Sequence, residues 1–215
     1  MRDGKRFCTI KYKMMPLEPR TEKGRATRAR ILHAASRLIA ERGVDRVILE
    51  DVECEAGVGR SQLYHYFDGR DDLLRAVIDT TTDAVLGDQG GLLNELDSLE
   101  AFDRWFDALV ALQEERGAKG GCPIGSLVGQ LAERDEETRA ALVSGFERWE
   151  EPLVAGLTRM LQDGRLRRDA NVEWLAVVTM AAIQGGLLLT QVRRDPEQLR
   201  RALEGARTVL AAAVV

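Results

Sequence analysis

Apolar residues recur at the helical period along this chain, and that pattern predicts an all-α fold. In the N-terminal part it predicts a helix over residues 24–42, two short helices over 49–56 and from about 60 to 67, and a longer helix over 70–86. Gly57 joins the two short helices, because glycine ends a helix and turns the chain without steric cost. These elements predict a compact, mostly aliphatic head that contains a helix-turn-helix.

The second short helix buries apolar residues on one side and leaves its other side polar. Its outward-facing residues are Arg60, Ser61, Gln62, Tyr64 and His65. Such side chains can contact phosphates and base edges, and a helix fits the major groove of DNA. A helix-turn-helix with a polar second helix therefore indicates a reader of duplex DNA.

Individual contacts can be assigned within this head. Arg60 is the predicted base contact, since arginine binds guanine bidentately, and the alternative is a solvated surface charge. Tyr64 and Arg70 are predicted to hold the DNA backbone, and Thr27 and Arg28 to touch phosphate near the exposed start of the first helix. For His65, a DNA contact and a solvated position remain equally open.

The pattern predicts a second helical domain after the glycine cluster at residues 87–91, which marks the break. Asp97 followed by Glu100 resembles a capping box, opening a helix that ends near Gly117. Shorter and longer helices should follow over residues 124–133 and 135–161. Pro152 should kink or split the longer one.

Residues 174–192 carry no charged side chain, and their length reaches the range of a membrane span. The alternative is a helix buried on every face by its own domain and a partner chain, which the polar residues inside it favour. The last helix begins with Asp195 as N-cap and Pro196 in the first turn. These last two helices are predicted to form a dimer interface.

The segment Gly-Val-Gly-Arg-Ser-Gln-Leu-Tyr-His-Tyr-Phe at residues 57–67, followed by Arg70, resembles the signature of tetracycline-repressor (TetR) type regulators. Residues 27–35 and 40–43 resemble the first helix of that family and its exit. The resemblance is specific from about residue 24 to 85. Farther on, residues 121–127 look like a motif of one branch of the family.

This resemblance implies a homodimer with a four-helix seam, two helices from each chain, that presents two heads to a palindromic operator. It also implies a population shift, in which a small effector prefers the dimer state whose heads are wrongly spaced for DNA. The expected organisation is a flexible basic arm (1–22), a helix-turn-helix domain (23–69), a linking helix (70–86) and a ligand-binding and dimerisation domain (87–215). The arm is alternatively a disordered extension, with Met14 or Met15 as the true start.

Three residues depart from the family pattern. Ile48 and Gly59 stand where members usually carry Ser or Thr at the caps of the two short helices. The loss of two such caps costs roughly 1 kcal/mol each. Glu53 stands where a small residue usually faces the recognition helix, and it places a negative charge near the packing seam or near phosphate.

The charge distribution agrees with a DNA-reading head. The chain of 215 residues carries a net charge of −4, but residues 1–70 hold 15 Lys+Arg against 10 Asp+Glu, and the remainder holds 16 against 25. The three cysteines are far apart and form neither a zinc pattern nor a disulfide framework, which indicates a cytoplasmic protein. The N-terminus has no apolar run typical of a signal peptide.

The second domain is expected to hold an apolar or aromatic effector, since it carries most of the large apolar side chains. Plain core packing is the alternative for each candidate. The candidate ligand contacts are Trp105, Phe106, Leu109, Phe146, Trp149, Met160, Trp174, Met180 and Gln184. Cys122 is either an oxidation sensor or a small buried hydrophobe at a helix start.

The predicted function is a ligand-responsive transcriptional regulator, specifically a repressor, with no cofactor, no metal and no membrane association. The rivals are an effector-independent regulator or activator, a membrane-anchored sensor and an all-helical enzyme. Catalysis is disfavoured because the chain shows no Ser/His/Asp set, no phosphate-binding glycine loop and no metal-ligand cluster. The glycine-rich residues 117–125 lack the Lys-Ser/Thr of a phosphate loop.

Overall fold

A computed structural model describes residues 19–215, and in that range the chain forms α-helices joined by short connections. Most of the predicted basic arm therefore lies outside the described residues. The helices are α1 (Glu22–Arg42), α2 (Leu49–Ala56), α3 (Arg60–Tyr66), α4 (Arg70–Asn94), α5 (Leu99–Glu115), α6 (Pro123–Leu131), α7 (Glu136–Gln162), α8 (Val172–Arg193) and α9 (Glu197–Ala212). The all-α prediction is confirmed.

The head consists of α1, α2 and α3, and the start of α4 packs against them. Thr21 caps α1, its hydroxyl accepting from the backbone N–H of Gly24 at 3.1 Å. Gly57 ends α2 in the left-handed conformation (φ 61°), as the helix-turn-helix prediction requires. Leu63 on α3 is fully buried among aliphatic residues of α1 and α4, so α3 is fixed with its polar side outward.

The linking helix is longer than predicted. It continues through the glycines at residues 87–91 and ends at Asn94 instead of 86, which corrects the predicted break. A glycine costs only about 1 kcal/mol in a helix interior. Packing supplies the compensation, because Leu93 is buried and the Gln89 side chain accepts a hydrogen bond from Trp105 Nε1 at 3.1 Å.

Three other details of the second domain differ from expectation. The N-cap of α5 is Ser98, whose hydroxyl accepts from Ala101 N at 3.3 Å, so the capping box predicted at Asp97 is wrong. Helix α7 runs through Pro152 without being split. At the start of α9 the N-cap is Pro196 and not Asp195, one residue later than predicted. The Asp195 carboxylate still accepts from Glu197 N at 3.1 Å and from the Gln198 side chain at 2.7 Å.

Helix α6 belongs structurally to both parts of the molecule. Its Leu127 and Leu131, together with Leu142 of α7, are buried in the hydrophobic cluster of the head. The other large cluster, built from α5, α7, α8 and α9, forms the core of the second domain, which we call the body. The head is therefore packed onto the body through α4 and α6 and does not hang from a flexible linker.

Helices α8 and α9 pack along one another and cover one side of the body. Within residues 19–215, α8 is the helix that meets a length and composition test for a membrane span, and 44% of its most apolar window is buried in the fold. A core or interface helix passes the same test. Its uncharged sequence is thus explained in part by burial against the body.

Candidate DNA-binding surface and ligand cavity

Helix α3 presents a polar surface that is free of the body. Arg60, Ser61, Gln62, Tyr64 and His65 are all exposed, and they form the outer side of α3 that we call the α3 surface. The inner side of the same helix is anchored by Leu63 and Tyr66. The Tyr66 hydroxyl lies close to Gly24, so this residue packs against α1.

Arg60 is held in place by neighbours of its own head. Its Nη1 lies 3.6 Å from the Glu50 carboxylate, and its guanidinium carbon lies 5.8 Å from the centre of the Tyr64 ring. The neighbouring Tyr64 side chain and, after it, the Glu50 carboxylate raise the pKa of Arg60 above its ordinary value. The side chain is thus a fully charged, exposed donor at the start of α3, where a base contact would be made.

The helix caps show the expected weaknesses. Neither Ile48 nor Gly59 provides a side-chain acceptor, although Asp51 accepts from the backbone N–H of Ile48 at 3.1 Å and supplies half of a capping box. Glu53 on α2 is half-buried, and its Oε1 is buried without a hydrogen-bond partner in the described structure. The carboxylate therefore faces the packing seam as expected and is poorly solvated there.

Two predicted DNA contacts, Thr27 and Arg70, are placed otherwise than expected, and the phosphate contact predicted for Arg28 stays a prediction. Thr27 lies one turn before Ile31, on the buried side of α1, and is only 4% exposed. Its hydroxyl donates to the Lys23 carbonyl. The expectation that this side chain is exposed is therefore wrong. Arg28 lies over the Phe67 ring at 5.4 Å. Arg70 donates to the carbonyls of Val44 and Val47, at 2.7 and 3.4 Å, which is a structural contact within the head and does not support a DNA clamp.

A cavity of about 740 Å³ lies where the head meets the body. Its walls come from α1 on the head side and from α4, α5, α6, α7 and α8 on the body side. Apolar residues such as Ile39, Leu109 and Leu187 make up much of the lining, with polar groups placed among them. A concave, largely apolar site of this size is typical of small-molecule binding.

Both parts of the chain match known proteins of a single family. The family model for "Bacterial regulatory proteins, tetR family" matches residues 31–77, and that for "Tetracyclin repressor-like, C-terminal domain" matches residues 98–206. The HTH-type transcriptional regulator Rv0196 of Mycobacterium tuberculosis is 32% identical over 175 residues, which cover 78% of this chain and 86% of that protein. The chain belongs to the TetR family.

More distant relatives agree. The HTH-type transcriptional repressor DhaR of a Mycobacterium species is 23% identical over 184 residues, covering 80% of this chain and 86% of that protein. A TetR transcriptional regulator from Chloroflexus aurantiacus has the same fold, with a TM-score of 0.76 and 20% identity over 90% of this chain and 98% of that one. This TetR-family protein is therefore a DNA-binding transcriptional regulator and not an enzyme.

Membership of the family does not identify the residues that bind a ligand, so the nine predicted ligand contacts are compared with the residues that line the cavity. Of the nine candidates, Leu109 and Trp149 line the cavity. Trp105, Phe106, Met160 and Met180 are buried in the body core instead. Trp174 is 54% exposed on the outer side of α8, so its assignment to a pocket is wrong.

The two remaining candidates, Phe146 and Gln184, are half-buried and lie beside the cavity lining without being part of it. The helical periodicity identifies side chains that face the interior of the domain. It does not distinguish those in the packed core from those that line the cavity.

Sequence reasoning missed the polar residues of the cavity wall. Ser36 of α1, Gln113 of α5 and Gln130 of α6 all line it. Gln113 carried a usable signal, because it continues the apolar stripe of Phe102, Phe106 and Leu109 with a polar side chain and is only 2% exposed. Ser36 and Gln130 were not singled out by the sequence, in which Ser36 lies between Ala35 and Arg37 and Gln130 between Gly129 and Leu131.

Cys122 also lines the cavity, at the N-cap of α6, and its Sγ accepts from the Gly125 N–H at 3.3 Å. Burial raises the pKa of the Cys122 thiol, which keeps it protonated and weakly nucleophilic. The interpretation as a small buried hydrophobe is therefore better supported than that as an oxidation sensor.

Proposed function

We propose that this TetR-family regulator is a cytoplasmic homodimeric repressor that binds a palindromic operator and is released from it by a small, largely apolar effector. The observation that carries this proposal is the cavity between α1 and the body. An effector bound there would contact both α1, which belongs to the head, and α8, which carries the proposed dimer surface. Its binding therefore changes the relative stability of states with different head spacing.

The α3 surface supports the DNA contact. Arg60 is its one Lys or Arg side chain, while Ser61, Gln62, Tyr64 and His65 supply neutral donors and acceptors. We assign base readout to Arg60 and additional base or phosphate contacts to the other four. Thr27 and Arg70 are not part of this surface, for the reasons of burial and internal hydrogen bonding given above.

The outer side of α8 supports the homodimer. Trp174, Val177, Leu188 and Val192 are each more than half exposed, and their spacing of three, eleven and four residues places them along one side of the helix. A contiguous apolar surface of this kind marks a protein or membrane contact. The family resemblance favours a second copy of the chain, with α8 and α9 of each protomer forming a four-helix seam.

The DNA contact is tested by fluorescence anisotropy with DNA from just upstream of the protein's own gene and with scrambled DNA, across a salt series. We expect tighter binding to the upstream DNA and a steep loss of affinity with salt. Arg60→Ala should weaken the specific complex roughly tenfold and relax one base position, while leaving scrambled DNA nearly unaffected. Equal effects of Arg60→Ala on both DNAs would contradict its role in base readout.

Repression is tested with a reporter gene placed behind the same upstream DNA. Expression of the regulator should lower reporter output, and Arg60→Ala should restore it. A rise in output instead would indicate an activator.

A further inference from the structure

The polar atoms of the cavity wall carry information about its ligand. Ser36 Oγ, Gln113 Oε1 and Trp149 Nε1 are buried and have no hydrogen-bond partner among the described residues. All three residues line the cavity, from α1, α5 and α7 respectively, but the three atoms are covered by protein and reach a ligand only when their side chains turn toward the cavity. A buried polar atom without a partner costs about 1–3 kcal/mol, so finding three around one cavity indicates a ligand that pairs with them.

Trp149 gives the most specific requirement. The residue is 1% exposed, and its indole N–H can only donate. Trp105, the other tryptophan in the body core, donates its N–H to Gln89 Oε1 at 3.1 Å. Trp105 thus has an acceptor within the fold, whereas the Trp149 N–H has none among the described residues.

Gln113 and Ser36 add polar groups that are less restrictive. A carboxamide presents either its oxygen or its nitrogen, and a hydroxyl both donates and accepts. Leu109, one turn before Gln113, keeps the wall beside it apolar. The polar part of the ligand is consequently small, and the rest of the ligand contacts hydrocarbon.

The charged residues of the wall argue against an ionic ligand. Arg37 pairs with Glu41 and Glu55, and Asp88 pairs with Arg116 at 3.3 Å. His33 also lines the wall, and it is exposed to solvent. A charged ligand would bury its charge beside groups that are already neutralised, which is costly.

We propose that the cavity binds an uncharged, mainly apolar ligand that carries one small polar group, whose acceptor atom receives the Trp149 N–H while Gln113 and Ser36 bind the same group. This inference rests on the proposed effector role of the cavity and specifies its ligand class.

Four probes of nearly equal shape test the class: biphenyl, biphenyl-4-carboxamide, biphenyl-4-carboxylate and 4-phenylbenzylammonium. Affinities for the intact full-length protein are measured by titration calorimetry at pH 7. We expect the carboxamide to bind about five- to tenfold more tightly than biphenyl, and the two ions to bind at least tenfold more weakly than the carboxamide.

Variants assign the preference to the named atoms. Trp149→Phe keeps an aromatic ring and removes the N–H, so it should reduce carboxamide affinity to about that of biphenyl and leave biphenyl little changed. Gln113→Leu should act in the same direction. Val143→Ala, a change on the exposed side of α7, the helix that also carries Trp149, should have no effect on either ligand.

Each other result overturns the proposal. Equal binding of biphenyl and the carboxamide, preference for an ion, unchanged carboxamide affinity in Trp149→Phe, or no binding by any probe would each exclude the proposed ligand class. Circular dichroism and operator binding of each variant show that the head is intact.

The failure of the effector role is a separate result. If the carboxamide binds through Trp149 but does not change operator affinity, the ligand class stands and the proposed release mechanism fails. If no probe binds while operator binding is normal, the ligand class fails and the regulator itself is unaffected.

Discussion

Gln130 provides a direct hydrogen bond from the body to the head, and its removal should be measurable. Its Oε1 accepts the backbone N–H of Val44 at 2.8 Å, across 86 residues of sequence. Val44 is 1% exposed and begins a short 3-10 turn after Gly43, where a backbone N–H has no acceptor within the helix itself. The Gln130 side chain therefore satisfies a donor that the local fold cannot.

Gln130→Leu replaces this acceptor with hydrocarbon of similar size. The buried N–H of Val44 is then left without a partner, and the free energy of unfolding should fall by about 1–3 kcal/mol. Urea denaturation at one fixed protein concentration measures this change, because the stability of a dimer depends on concentration. Operator affinity should fall with it, since the segment that Val44 begins also receives the Arg70 hydrogen bonds that orient the head.

Gln130→Glu is the matched control. It keeps an acceptor oxygen at the same position, loses the bond that Gln130 Nε2 donates to the Ser126 carbonyl, and adds a negative charge that is solvated because residue 130 is exposed. It should therefore lose much less stability than Gln130→Leu. The reasoning is refuted if Gln130→Leu lies within about 0.3 kcal/mol of the wild type, a change typical of surface substitutions, or if both variants are equally destabilised.

Two further predictions concern the dimer surface and acid stability. Leu188→Glu places a charge on the apolar outer side of α8, so this variant should be a monomer by analytical ultracentrifugation. Val143→Glu, an equivalent change on the exposed side of α7, should remain a dimer. If Leu188→Glu is also a dimer, the interface lies elsewhere. Asp135 caps α7 by accepting from Thr138 N and Oγ1 at 2.7 and 2.8 Å, and these bonds lower the pKa of its carboxylate. Because the folded-state pKa lies below the unfolded one, the stabilisation is present above the ordinary pKa and is lost as the pH falls through the folded-state value. The melting temperature of Asp135→Ala should therefore lie below that of wild type at pH 7 and approach it below about pH 4; a gap independent of pH would contradict this.

Local chemistry made the head predictable from sequence. Gly57 permits the left-handed turn, and the apolar positions around Leu63 fix which side of α3 faces outward. Both are decided within a few residues of chain. The expectation for Thr27 failed because the start of α1 was assumed to be exposed, although residue 27 stands one turn before the buried Ile31.

Structural features that depend on residues distant in sequence were less predictable. The glycines at residues 87–91 end a helix by propensity, but the bond between Gln89 and Trp105 and the burial of Leu93 keep α4 intact. The same bond brings Gln89 to the cavity wall. The cavity itself was unpredictable in detail, because several of its polar residues come from α1 and α6, which the sequence pattern assigns to different domains.

The position of the cavity suggests how a ligand can be coupled to DNA binding. Leu127 and Gln130 of α6 line the cavity, Leu127 also packs into the head core, and Gln130 bonds the head backbone. A ligand that pairs with Ser36 of α1 and Trp149 of α7 thus adds contacts across the same junction that α6 already bridges. A ligand shifts an equilibrium only by its difference in affinity between the two states, and reversing a 99:1 preference needs about 5.5 kcal/mol. The five- to tenfold gain expected from the hydrogen bonds is about 1–1.4 kcal/mol, so they supply part of this difference and apolar contacts across the junction must supply the rest. The unpaired atoms of the cavity therefore serve both recognition and switching, which predicts that Trp149→Phe weakens the ligand's effect on operator affinity in proportion to its effect on ligand binding.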